Sequence, residues 1–136
     1  LNPDKDDLLL LCGYMNKISC SIIDAYNGNV VNIHPSLLPK YKGLNTHKKV
    51  ISNKELNHGC TTHYVNKDID CGPIIAQYMI PVENDDDPES IAEKLLDVEH
   101  TLFYKTLKMI EESDIKLKNN LVFYKGKALK EPIIFS

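Results

Sequence analysis

The stretch Val30-Val31-Asn32-Ile33-His34-Pro35-Ser36 places two chemically capable side chains in alternation. Alternate residues of a strand share a face, so Asn32 and His34 point the same way, roughly 6.6 Å apart along the axis. A carboxamide can hold a developing oxyanion, and an imidazole can move a proton near neutral pH. The loop Asn66-Lys67-Asp68-Ile69-Asp70-Cys71-Gly72-Pro73 offers a carboxylate partner. Asp70, brought beside His34, would stabilise the imidazolium and make it a proton donor near neutrality. Taken singly these residues have plainer readings, since an Asn and a His at a strand end can cap a loop and an Asp before a Gly is commonly an exposed turn acid.

Other constellations are weaker. Ser36, His34 and Asp70 do not read as a hydrolase triad, because no G-x-S-x-G elbow surrounds a serine two residues from its supposed base. Ser36 is expected to stabilise the loop instead. His58 and His63, with Cys60 and Cys71 nearby, suggest a metal, but their odd separation sets the two histidines on opposite faces of one strand. Structural or site-lining roles fit them better. Lys40, Lys42, Lys48 and Lys49 form a basic cluster that could attract a phosphate, although such runs are more often solvated.

These groups need a sheet to position them. Leu8–Cys12 reads as a strand buried on both faces, and Ile18–Tyr26 as a helix stopped by Asn27-Gly28. Val30–His34 is a second strand, so strand, helix and strand with short links predict a parallel α/β unit. In such sheets ligands bind at the carboxyl ends of the strands, which is where His34 falls. Thr46–Asn53 is a short helix, while His58–Val65 and Ile74–Val82 are strands. Asp85-Asp86-Asp87-Pro88 caps a long helix with the stripe Ile91, Leu95, Val98, Leu102, Met109. Ile115–Leu117 and Leu121–Tyr124 form a hairpin about Asn119-Asn120, and the last residues an extended tail.

The 136 residues suit one domain. The charge of −3, with lysine as the only basic residue besides histidine, argues against a nucleic-acid partner. No apolar run approaches the roughly 20 residues that span a bilayer, so no membrane segment is expected. Four dispersed cysteines without a C-x-x-C pair suit a reducing cytoplasm.

Asn32-Ile-His-Pro-Ser-Leu-Leu-Pro-Lys-Tyr-Lys-Gly-Leu-Asn-Thr-His47, with His58-Gly-Cys-Thr-Thr-His-Tyr-Val and Asp68-Ile-Asp-Cys-Gly-Pro-Ile-Ile, resembles the folate-dependent formyltransferase family, in its glycinamide ribonucleotide branch. The resemblance implies the carboxyl-terminal portion of a Rossmann-like, mostly parallel sheet with flanking helices. It implies 10-formyltetrahydrofolate as co-substrate without a metal, and glycinamide ribonucleotide as acceptor in purine synthesis. It further implies that Asn32 holds the formyl oxygen, that His34 donates a proton, and that Asp70 orients His34 and favours its charged form. Met15, Asn16, Lys17 and Ile18 with Asp68, Ile69 and Asp70 would line the folate pocket. Pro35 would lie beside the glycinamide substrate and Glu99 would contact its ribose.

The family's amino-terminal phosphate loop and a folate-facing arginine have no counterpart in the sequence, so residues 1–136 are expected to be one domain truncated at its amino-terminal side. Exposed apolar sheet surface and weak activity or none are expected of it. A formyltetrahydrofolate hydrolase and an inactive folate-binding or assembly module are the alternatives, and a homodimer is the candidate assembly. Formylation of initiator tRNA fits less well, because that branch carries a further carboxyl-terminal domain.

Overall fold

The computed structural model describes residues 3–4, 6–14 and 16–136. Strand β1 (Leu9–Cys12), helix α1 (Cys20–Ala25) and strand β2 (Val30–His34) lead into α2 (Thr46–Ser52), β3 (Asn57–Tyr64) and β4 (Ile74–Pro81). Helix α3 (Pro88–Glu111) precedes the short strands β5 (Ile115–Lys118), β6 (Leu121–Tyr124), β7 (Lys127–Ala128) and β8 (Ile133–Phe135). The main sheet has the order β1-β2-β3-β4-β8. Four of its strands run one way and β3 runs against them, so the expected mostly parallel sheet with flanking helices is what forms.

Two expectations need correction. β1 is not buried on both faces: its burial alternates, and Leu10 is 39% exposed, because among the described residues β1 has β2 as its one neighbour in the sheet. The final residues are extended as expected but are not a free tail, since Ile133–Phe135 pair in parallel with Ala76–Tyr78 as β8. An apolar Ile-Ile-Phe run with an unpaired edge beside it gains ladder hydrogen bonds by adding to the sheet. Helix α1 starts at Cys20, two residues later than its pattern suggests, and buries none of its side chains.

Helix α3 begins where the sequence dictates. The Asp87 carboxylate accepts from Ser90 N at 2.8 Å, Ser90 Oγ accepts from Asp87 N at 3.0 Å, and Pro88 occupies the first turn. Ile91, Leu95 and Leu102 are fully buried where the helix crosses β3 and β4. Each such side chain contributes roughly 1.5–3 kcal/mol. The stripe continues through Thr106, whose hydroxyl pairs with that of Thr62 at 2.8 Å, both buried. Beyond the helix, Asn119 and Asn120 both have positive φ, 53° and 60°, as the two-residue turn of the β5–β6 hairpin requires.

Helix α2 buries Thr46 and Val50 and is tied to β3 through His47 Nδ1 and His58 Nε2, 2.9 Å apart. Burial, with His47 close by, pushes the His58 imidazole down to about 4, well below its ordinary value of 6.5. The unfolded chain therefore takes up a proton below about pH 6.5 that the folded chain refuses until about pH 4. Stability should be full above pH 6.5 and fall by up to about 3 kcal/mol as the pH drops to 4. Urea unfolding across that range checks this, and His58→Gln should flatten the dependence.

Candidate active site

Antiparallel pairing of β2 with β3 sets Asn32 opposite His63 and His34 opposite Thr61. Opposed residues in an antiparallel ladder share a face, so Asn32, His34, Thr61 and His63 project together. A register shift between β3 and β4 falls at Thr62/His63, an irregularity of the kind that re-aims a side chain beside a site.

The loop after β2 is folded back onto this face. The Thr61 hydroxyl donates to Ser36 O at 2.7 Å and accepts from Leu38 N at 3.1 Å, while Ser36 Oγ donates to Lys40 O at 2.6 Å. Ser36 thus shapes the loop and does not address His34. Held this way, the loop presents the Tyr41 carbonyl 2.9 Å from His34 Nε2. A carbonyl only accepts, so Nε2 carries a proton and Nδ1 is left facing Asp70 Oδ2 at 3.4 Å. Gly43, at φ 82°, turns its N–H onto the same Asp70 oxygen at 2.9 Å. Asp70 itself sits at φ 55°, a left-handed conformation that Asp tolerates better than most residues. Its other oxygen lies 3.9 Å from His63 Nε2, and His63 Nδ1 donates to Tyr64 O at 3.0 Å.

Asn32, Asp70 and His63 line one small cleft together with Asn16, Lys17, Ile18, Asp68 and Ile69. His34, fully buried, stands directly behind Asp70. Asn32 donates one amide proton to Tyr14 O at 3.0 Å and accepts from Tyr14 N at 3.3 Å, which leaves its second N–H free for a ligand. The cleft encloses about 20 Å³, room for a single water, so a ring system enters only when a wall moves. Met15 lies outside the described residues.

Pro35 and Glu99 fall elsewhere, in a second cavity of about 570 Å³ that also takes in Gly13, Ile33, His47 and His100. Ile33 alternates with Asn32 and His34, so β2 stands between the two spaces. Burial raises the Glu99 carboxyl above the ordinary range. Of the lysine cluster, Lys40 pairs with Glu55 at 3.2 Å and Lys42 lies 3.2 Å from Cys71 Sγ. The four cysteines are free thiols.

For His63 the sequence predicts a structural or site-lining role, without its place beside Asn32 and Asp70. Only the β2–β3 register puts it there, and register is not written in either strand alone.

Residues 1–107 match the formyl transferase family. The chain belongs to that family. It is 37% identical over 123 residues to the phosphoribosylglycinamide formyltransferase of Haemophilus influenzae, covering 90% of this chain and 58% of that protein. It is 40% identical over 110 residues to the trifunctional purine biosynthetic protein adenosine-3 of Drosophila melanogaster, covering 81% of this chain and 8% of that one. Its fold superposes on a phosphoribosylglycinamide formyltransferase from Coxiella burnetii with a TM-score of 0.87 at 38% identity, over 95% of this chain and 61% of that one. The chain thus spans somewhat over half the length of these single-function relatives.

In this member of the family the Asp70 loop is held against β3 at Gly72, where a Cβ would overlap the Tyr64 carbonyl that His63 uses. Gly72→Ala should cost about 1–3 kcal/mol in urea unfolding. It should also lift Asp70 away from both histidines, seen as a change in their side-chain NMR signals.

Proposed function

We propose that the chain carries the transfer centre of a phosphoribosylglycinamide formyltransferase, moving a formyl group from 10-formyltetrahydrofolate to the amine of glycinamide ribonucleotide in purine synthesis. The observation that carries this reading is Asn32 and Asp70 lining one cleft with His34 Nδ1 3.4 Å behind Asp70, in a chain of the formyl transferase family.

The amine nitrogen attacks the formyl carbon, and the carbonyl electron pair moves onto oxygen. The free N–H of Asn32 meets that oxyanion; a preorganised donor of this kind contributes about 2.7–4 kcal/mol. As the oxyanion collapses back to a carbonyl and the carbon–nitrogen bond to the folate breaks, the departing nitrogen takes a proton from the His34–Asp70 pair, and the attacking amine returns one to that pair. The charge to be stabilised is small enough for an amide and an imidazolium, so these steps call for no metal ion.

Asn16, Lys17, Ile18, Asp68 and Ile69, with Met15, are the proposed folate contacts. The cavity beside Pro35 and Glu99 is the proposed place of the acceptor, which sets the two substrates on either side of β2, meeting near its carboxyl end. A reducing cytoplasm is the proposed setting, and no described helix is long and apolar enough to cross a membrane.

Calorimetry with a non-transferable folate analogue tests this. Heat is expected from the parent chain, and its loss in Asn32→Ala. His34→Ala should keep that heat, and the same change in a full-length enzyme of the family should lower transfer about a hundredfold or more. No heat from the parent chain would favour an inactive assembly module, and formate release without glycinamide ribonucleotide would mark a hydrolase.

A further inference from the structure

The loop after β2 has two faces. Its front serves the transfer site, where Tyr41 O meets His34 Nε2 and Gly43 N–H meets Asp70. Its back, at Leu37, Pro39 and Tyr41, is one wall of a cavity of about 530 Å³ that shares no residue with the cleft at Asp70 or the cavity at Glu99. Opposite that wall stand Val50 of α2 and the segment that follows the helix, with Gln77 and Met79 of β4 as the floor. The floor and the loop are tied together. Gln77 Nε2 donates to Leu38 O at 2.7 Å and to Thr61 Oγ1 at 3.1 Å, all of them buried, so the cavity is formed before anything enters it.

Its chemistry is one-sided. Leu37, Pro39, Val50 and Met79 make the interior apolar. Leu56 lines the rim at 79% exposure, the most exposed large apolar side chain among the described residues. Flat rings suit such walls, because a methionine sulfur and a tyrosine face both make favourable contacts with them. The charges at the rim do not cancel. Lys40 and Glu55 pair at 3.2 Å, and the Tyr41 hydroxyl donates to the same carboxylate at 2.6 Å, so Glu55 is already engaged. His58, which burial pushes down to about 4, is neutral near pH 7. Lys54 is left over: exposed, bordering the cavity, and in no ion pair among the described residues.

We propose that this cavity is a second ligand site, taking an aromatic monoanion of one or two rings, and that its occupant braces the loop that carries Tyr41 and Gly43. The volume lies within the range of about 300–1,000 Å³ usual for small-molecule sites. The rings lie against Leu37, Pro39 and Met79 and cover Leu56, while the anion faces Lys54 and neutralises the one uncompensated cation. A ligand held between loop and sheet binds only while the loop is in place, so it stabilises that arrangement by mass action. Gly43 is two residues beyond Tyr41, and the bracing reaches the Asp70 contact through that short link.

Amide spectra of the ¹⁵N-labelled full chain, titrated with 2-naphthoate and separately with its neutral counterpart 2-naphthamide, provide the test. No folate is present, so failure here leaves the formyl-transfer reading untouched, and the reverse holds as well. Saturable shifts are expected at Tyr41, Leu56, His58 and Met79, with naphthamide held about fivefold more weakly. Lys54→Met should weaken naphthoate by about the same factor and leave naphthamide unchanged, whereas Leu56→Ser should weaken both. Both side chains are exposed, so neither change threatens the fold. With naphthoate at ten times its Kd, hydrogen exchange of the Leu38 and Gly43 amides should slow by up to about tenfold. The proposal is overturned if no saturable shift is seen, if the shifts centre on Asn32 and Asp70, if naphthamide binds as tightly, if Lys54→Met has no effect, or if both amides exchange at the parent rate under saturation.

Discussion

The site is organised by one carboxylate. Asp70, in a loop and in a left-handed backbone conformation, is fixed by Gly43 N–H and lies between His34 and His63. Buried carboxylates are costly unless surrounded by donors, so the loop after β2 and the loop after β3 must close on each other for this one to be tolerated. That requirement explains why backbone groups far from any ligand, such as the carbonyls of Ser36 and Lys40, have side-chain donors of their own. Each fixes part of the path that brings Tyr41 O and Gly43 N to their places.

Much of this was legible in the chain. Alternation in a strand was enough to pair Asn32 with His34, and the run Asp85-Asp86-Asp87-Pro88 was enough to start α3, with Asp87 as its cap. Asn-Asn between two short apolar runs marked a turn needing two left-handed residues, and both have positive φ. In each case the deciding interaction lies within a few residues of itself.

What escaped the sequence depends on contacts between distant segments. The burial of Leu10 is set by how many neighbours β1 has, and the pairing of Ile133–Phe135 by the free edge of β4; neither is a property of those residues. Thr106, which the apolar stripe of α3 did not include, is buried with Thr62 opposite and a hydroxyl to share. His63 likewise became part of the site only through the cross-strand register with Asn32.

The central claim is that Asn32 and the His34–Asp70 pair address one transferable carbon, which the buried position of His34 allows only through the Asp70 edge of the cleft. The most direct measurement is a crystal structure of the chain soaked with a formyl-folate analogue. The account predicts the carbonyl oxygen of the analogue within hydrogen-bond distance of Asn32 Nδ2 and its leaving nitrogen beside Asp70 and His34, with a wall of the cleft displaced to admit the ring. An analogue seated elsewhere, with Asn32 still paired only to Tyr14 and the cleft still closed, would contradict it.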